Sequence, residues 1–188
     1  RKTLISRISK RNVADLKTIK MVVHGLLCRS ILIKYLEERK DSKGESVFPT
    51  NFFAQFIDSA QKYTDLLVDK KATYAFFECL KQKFNGDLMQ IPEQEFDIIS
   101  QEDLNWLKDF LLGDSVLESG QLTLWRLYSF DVIPIQLISS IYELFFHLSD
   151  ADDEKGTYYT PLHLVELMLD EICPWEGKYS AKTFLDPS

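Results

Sequence analysis

The feature that most constrains the fold is a long run of apolar residues at helical spacing near the start of the chain. Between Val13 and Arg39 these residues recur every three to five positions, which predicts one long helix. A single apolar stripe along that helix would consist of Leu16, Ile19, Val23, Leu26, Leu27, Ile31 and Leu36. Gly25 interrupts the stripe, and we expect a neighbouring helix to approach closely at that point.

Five shorter segments carry helix start signals followed by apolar residues. Serine, threonine and aspartate cap helices, and proline is favoured at the first helical position. Phe52, Phe53, Phe56 and Ile57 form the expected buried side of the first of these segments. In chain order the segments start at Pro49-Thr50, at Asp69, after the capping box of Ser100 and Asp103, at Pro134 and at Thr160-Pro161; Gly113 would end the third.

Strand patterns are almost absent, apart from Thr183 to Leu185 near the end of the chain. The sequence therefore predicts an all-α fold, an irregular domain of about six helices with at most a short terminal strand. We expect residues 1–148 to form a helical N-terminal domain. Residues 149–188 would then supply a loop, a helix and that strand.

Charge is distributed unevenly along the chain. The net charge of −7 and the pI of about 5.0 exclude a basic nucleic-acid footprint over the whole domain. Residues 1–40, however, contain eleven Lys and Arg and only three acidic residues. Such a segment can meet phosphates, although a charged run at helical spacing is more commonly a solvated helix face.

The cysteines and histidines show no ligand spacing. Cys28, Cys79 and Cys173 are far apart and form no CxxC pair, so we expect free thiols in a reducing cytosol and no metal site. No apolar run reaches the length of a membrane span. Nothing near Arg1 resembles a signal peptide, and we expect the chain to begin inside a longer protein.

The most informative segment is "GTYYTP", Gly156 to Pro161. GxSxG, HExxH, GxxxxGK[ST] and GxGxxG are all absent from the chain. "GTYYTP" places hydroxyls and two aromatic faces at a helix start, where unpaired N–H groups and the positive end of the helix dipole are available. A ligand with a carboxylate and an aromatic base would suit that position. The alternative is a capped helix whose tyrosines pack into the core.

The run "KGTYYTPLHLVELMLDEICPW" followed by "KTFLDPS" resembles the adenine-N6 DNA methyltransferases of restriction-modification systems that carry an N-terminal helical region. In that family a G-x-[YF]-[YF]-TP segment precedes a helix, and the next strand ends in an acidic residue, Pro and a small residue. Both segments line the S-adenosylmethionine pocket. The resemblance implies that the cofactor is bound by Gly156, Thr157, Tyr158, Tyr159, Thr160, Pro161, Asp186 and Pro187.

Two motifs of the family are missing from these 188 residues, the Gly-rich turn that follows the strand and the Asn-Pro-Pro-aromatic motif that binds the flipped adenine. We therefore expect a cytoplasmic fragment that lacks catalytic residues and is inactive by itself. Double-stranded DNA would be bound by the full-length protein, together with a specificity or nuclease domain or subunit. In the helical region, Arg29, Lys34 and Arg39 are candidates for DNA backbone contacts.

A second hypothesis is a helical protein-protein interaction or oligomerisation module that binds no cofactor. Its support is the acidic net charge and the aromatic-rich helices, with 13 phenylalanines in the chain. Under this hypothesis Tyr158 and Tyr159 pack inward.

Overall fold

The fold is mostly helical within the residues that the computed structural model describes, which are 1–84, 90–113, 134, 136, 137, 140 and 162–172. Among them there is no strand, only an isolated antiparallel bridge between Lys40 and Ser46. The predicted all-α class is confirmed. The α-helices whose bounds lie within the described residues are α1 (Lys2–Arg11), α2 (Leu16–Glu38), α3 (Tyr63–Leu66), α4 (Lys70–Lys83), α5 (Glu95–Ile98), α6 (Gln101–Leu112) and α7 (Leu162–Ile172), with a 3-10 helix at Phe52–Gln55.

The chain divides into two compact units, Arg1–Ala151 and Asp152–Ser188. Helices α1 to α6 belong to the first unit and α7 to the second. In the segment predicted to be helical from Pro134, residues 136, 137 and 140 are helical. The predicted terminal strand at Thr183 to Leu185 lies outside the described residues.

Helix α2 is the central element of the first unit. Asp15 caps its start by accepting a hydrogen bond from the Thr18 N–H at 2.9 Å. Thirteen residues of α2 are buried, and the helix packs against α1, α3 and α5. A helix covered on several sides is buried around most of its circumference. Five of the seven residues of the predicted apolar stripe are buried, Leu36 is half-buried and Leu16 is exposed, and the buried surface of α2 is wider than that stripe.

The side chain that lies beside Gly25 belongs to α2 itself. A Cβ atom at Gly25 would lie 3.7 Å from Nη2 of Arg29, an ordinary van der Waals contact. We expected a neighbouring helix to approach there, and the structure instead places the guanidinium of Arg29 beside this glycine.

The ring of Phe76 on α4 is the centre of an aromatic cluster. Its centroid lies 5.5 Å from that of Phe56 and 5.6 Å from that of Phe53. The helix predicted from Pro49-Thr50 is only a 3-10 turn, because Asn51 adopts a left-handed conformation with φ 63° immediately before it. Of the four residues predicted as its buried side, Phe53 is buried and the other three are half-buried.

The predicted signals at the ends of α4 and α6 are confirmed. The carboxylate of Asp69 accepts the Ala72 N–H at 3.0 Å. Ser100 and Asp103 form the reciprocal capping box at the start of α6. Gly113 ends α6 at φ 78°, a left-handed conformation that favours glycine.

Helix α1 was not predicted from the sequence. Its apolar residues are few, but Leu4 and Ile8 lie on one face and are fully buried against α2. Packing against α2 therefore stabilises a helix whose own apolar pattern is too short to identify it.

We predict that His24, buried on α2, makes the protein less stable in acid. Burial first, and then the charges of Arg1 and Lys20, lowers the pKa of His24 from 6.5 to about 4. As the pH falls from about 6.5 to about 4, the unfolded state binds a proton that the folded state does not bind. The free energy of unfolding should therefore decrease by up to about 3 kcal/mol.

Urea unfolding followed by circular dichroism at pH 7 and pH 4.5 would measure this loss. His24→Leu should reduce the acid-dependent loss, whereas His163→Leu, which removes an exposed histidine of α7, should retain it. Equal acid-dependent losses in wild-type protein and His24→Leu would contradict the assignment.

Candidate nucleic-acid interface

The three candidates for DNA backbone contacts lie on or directly after α2, and the structure places them in three different environments. Arg29 is fully buried, Lys34 is buried with a side-chain exposure of 10%, and Arg39 is exposed. Sequence spacing therefore grouped residues that do not form one surface.

Arg29 forms an ion pair inside the protein. Its Nη1 donates to Oε1 of Glu95 at 2.8 Å and its Nη2 donates to Oε2 at 3.1 Å, and both side chains are 0% exposed. Nη2 also donates to the Gln90 carbonyl at 3.0 Å, and the guanidinium lies 4.7 Å from the ring centroid of Phe77. A phosphate cannot reach this group, so the prediction of a DNA contact from Arg29 is corrected to an internal structural role.

The Glu95 carboxylate has a second partner on α4. The hydroxyl of Tyr74 donates to Oε1 of Glu95 at 3.2 Å. Burial, and then the charge of Glu95, raises the pKa of Tyr74 well above its ordinary value. Tyr74 therefore keeps its proton and remains a hydrogen-bond donor to the buried carboxylate.

Lys34 is neutralised within its own helix. Its Nζ lies 2.6 Å from Oε2 of Glu37 and 2.8 Å from Oε1 of Glu38. Burial lowers the pKa of Lys34, while the two carboxylates raise it, and the net shift is upward. The ammonium is charged but is held by carboxylates three and four residues along the helix, so it is not offered to a phosphate.

Arg39 is the one of the three predicted phosphate ligands that is exposed. Its guanidinium lies 5.2 Å from the ring centroid of Tyr35 and hydrogen-bonds the hydroxyl of that residue. An arginine stacked on an aromatic ring keeps donors on its outer edge. The prediction for Arg39 remains a prediction.

A basic surface lies on α1, and it was not identified as a site from the sequence. The residues of α1 that flank and oppose the buried Leu4 and Ile8 combine cations with hydroxyl groups. We call this set the outer face of α1, and it consists of Lys2, Thr3, Ser6, Arg7, Ser9 and Lys10. Thr3 is half-buried and the other five are exposed. The excess of basic residues in the first forty positions was the available signal.

The inner side of α1 is attached to α6. Nη2 of Arg11 lies 2.5 Å from Oδ2 of Asp103 and also donates to the Ile98 carbonyl at 3.4 Å. Asp103 is fully buried and accepts further hydrogen bonds from the N–H and the hydroxyl of Ser100. Arg11 is therefore occupied by the protein, in contrast to the cations of the outer face.

A shallow depression of about 460 Å³ lies between α4 and residues 91–96. Tyr74, Ile91 and Phe96 supply its apolar lining. Glu78 and Lys81, both of α4, also line it, and their side chains lie 3.7 Å apart. This depression contains none of the residues predicted to bind a cofactor.

The residues predicted to bind the cofactor all lie outside the described residues; they are Gly156, Thr157, Tyr158, Tyr159, Thr160, Pro161, Asp186 and Pro187. The structure does describe the helix that follows them. Helix α7 spans Leu162–Ile172, which confirms a helix in the predicted segment, whereas the predicted start at Thr160-Pro161 lies outside the described residues.

Several further groups are described. Cys28 is a buried free thiol, and burial raises its pKa to about 12. Cys79 is free and half-buried. The described part of the chain contains no cluster of three or more His, Cys, Asp or Glu side chains that could hold a metal ion. None of the helices in this part is long and apolar enough to cross a membrane.

No protein-family model matches the chain, and neither the curated proteins nor the solved structures gave a match.

We predict that the Arg29–Glu95 pair is strongly coupled. Arg29→Met leaves a buried carboxylate without its cation, and Glu95→Leu leaves a buried guanidinium without its anion, so each should cost about 3–5 kcal/mol of unfolding free energy. The double variant replaces both charges with apolar groups of similar length. It should be more stable than either single variant.

Urea unfolding of all four proteins gives the coupling energy. Lys81→Met and Glu78→Leu provide a matched exposed pair on α4, whose coupling should stay below about 1 kcal/mol. If the double variant loses the sum of the unfolding free energies that the two single variants lose, then Arg29 and Glu95 do not stabilise the core as a pair.

Proposed function

We propose that the chain is the N-terminal helical region of an S-adenosylmethionine-dependent adenine-N6 DNA methyltransferase of a restriction-modification system. The observation that carries the proposal is the pairing of "GTYYTP" with the later "FLDPS". The position of α7 supports it, since the family pattern requires a helix immediately after the TP dipeptide. The helical body formed by α1 to α6 agrees with an N-terminal helical region.

The cofactor would supply the methyl group, and this chain would supply part of its binding site. Thr157, Tyr158 and Tyr159 carry the hydroxyls and aromatic faces for a carboxylate and an adenine ring, and they precede the N-terminus of α7. Asp186 follows the predicted strand and would face the same ligand. These roles come from the resemblance and rest on the residue types present.

The helical body would position these segments and contribute to DNA binding. In the full-length enzyme the target adenine would be flipped out of the duplex, and the residues that bind it belong to motifs outside this sequence. The partners would be double-stranded DNA and a specificity or nuclease domain or subunit, in the cytoplasm. The 188 residues alone would be inactive, because the Asn-Pro-Pro-aromatic motif is not among them.

A specific observation favours the second candidate, a helical protein-protein interaction or oligomerisation module. Helix α7 exposes four large apolar side chains, Leu164, Leu167, Met168 and Leu169. A catalytic domain would cover such residues in a methyltransferase, and a partner protein would cover them in an interaction module. The coding sequence after Ser188 distinguishes the two, because the first requires a Gly-rich turn and a later Asn-Pro-Pro-aromatic motif.

We predict that the full-length protein transfers a methyl group to N6 of adenine in duplex DNA. The measurement uses tritiated S-adenosylmethionine, followed by digestion of the DNA and identification of N6-methyladenine by mass spectrometry. Asp186→Ala and Tyr159→Ala should reduce the rate at least about 100-fold, because they remove groups that would orient the cofactor.

Asp152→Ala is the matched control, since it lies in the acidic run and should leave the rate unchanged. Methyl transfer by the 188-residue chain alone would refute the proposal that these residues are inactive by themselves. Absence of N6-methyladenine with the full-length protein on genomic DNA would refute the proposed function itself.

A further inference from the structure

The strongest unexplained feature of the described structure is the concentration of positive charge at its start. Residues 1–20 contain seven Lys and Arg and one acidic residue, which gives this segment a net charge of +6. Because the whole chain has a net charge of −7, residues 21–188 together carry a net charge of −13. Since the molecule as a whole is acidic, solubility does not require this basic segment.

The cations on the outer face of α1 have no carboxylate partners among the described residues. Helix α1 contains no acidic residue. Within residues 1–84 and 90–113, carboxylates form ion pairs with Arg11, Arg29, Lys34 and Lys81, but with none of Lys2, Arg7 and Lys10. The nearest acidic residue in sequence, Asp15, accepts hydrogen bonds from Thr18 at the cap of α2.

Positive charges repel one another on the outer face of α1. Arg7 and Lys10 are three residues apart on the helix, where like charges repel by a few tenths of a kcal/mol. An anion bound to the outer face would remove that repulsion. Three hydroxyl groups, of Thr3, Ser6 and Ser9, lie between the cations and can donate to the same anion.

The spacing of the cations suits an extended row of phosphates. Lys2 and Lys10 are about 12 Å apart along the helix axis, at 1.5 Å per residue. Phosphates of one strand of B-DNA recur about every 3.4 Å measured along the duplex axis. A row of cations about 12 Å long is therefore within reach of several phosphates. Arg7 lies between them along the helix axis, so the three cations can contact phosphates of one backbone segment.

The same face lacks the features that other polyanions require. A membrane-surface helix inserts large apolar side chains among lipids, but Leu4 and Ile8 of α1 point into the core. Proteins that bind single-stranded RNA stack bases on aromatic rings, and α1 has no aromatic residue.

We infer that the outer face of α1 binds the phosphate backbone of duplex DNA without reading its sequence. The choice of duplex DNA rests on the proposed function, whereas the location of the surface rests on the charges and contacts of α1. Because Leu4, Ile8 and Arg11 attach α1 to the helical body, the bound DNA is held against a fixed element.

Fluorescence anisotropy of the 188-residue chain with a labelled duplex tests this inference. The wild-type chain should bind with a dissociation constant near the micromolar range at about 50 mM salt, and binding should weaken steeply by about 200 mM salt. The variant Lys2→Gln/Arg7→Gln/Lys10→Gln should bind about 10-fold or more weakly. Its slope of log affinity against log salt should be smaller by about 3.

The matched control is Lys40→Gln/Lys43→Gln/Lys71→Gln, which removes three exposed cations from other parts of the surface and gives the same net charge. It should bind nearly as the wild type does, and circular dichroism should show equal helix content in all three proteins. Equal loss of affinity in both triple variants, or no duplex binding by the wild type, overturns the inference. Tighter binding to phosphatidylserine vesicles or to single-stranded RNA than to duplex DNA also overturns it.

The outcome separates this inference from the proposed function. If the α1 variant loses duplex binding but the full-length protein makes no N6-methyladenine, the DNA-binding surface stands and the methyltransferase proposal fails. If the full-length protein methylates adenine while the α1 variant binds as the wild type does, the inference about α1 alone fails.

Discussion

The ion pair of Arg29 and Glu95 joins three helices at the centre of the first unit. Arg29 comes from the middle of α2 and Glu95 from the single turn of α5, while α4 supplies Phe77 beneath the guanidinium and the Tyr74 hydroxyl for the carboxylate. A buried charge is tolerated only when it is paired and hydrogen-bonded. The relative positions of α2, α4 and α5 therefore depend on one another through this pair.

A second ion pair extends this arrangement to the start of the chain. Asp103 caps α6 and also binds Arg11, so the end of α1 is fixed to the start of α6. The two pairs differ in exposure, since both partners are fully buried at Arg29–Glu95, whereas the Arg11 side chain is 39% exposed. Solvent screens the second pair more strongly, and it serves chiefly to orient α1.

Local rules predicted α4, the Ser100 cap and the Gly113 stop, because each depends on residues within one or two turns. The burial of Arg29 was not predictable in this way, since its partner Glu95 is far along the chain. The ion pairs of Lys34 could have been predicted from the sequence, because Glu37 and Glu38 lie at helical spacing from it. The cofactor residues were identified by resemblance alone, and they lie outside the described residues.

Five basic residues of the first forty positions thus fall into two physical classes. Inside the fold, Arg29 and Lys34 are neutralised by carboxylates, which the low dielectric of the interior requires. On α1, Lys2, Arg7 and Lys10 are exposed and form no ion pair within the described part of the chain, and an exposed charge of this kind costs little and stays available to a polyanion. Because Arg11 links α1 to Asp103, a ligand that orders α1 also stabilises the start of α6. Occupancy of the outer face of α1 would therefore stabilise the helical body as well as α1.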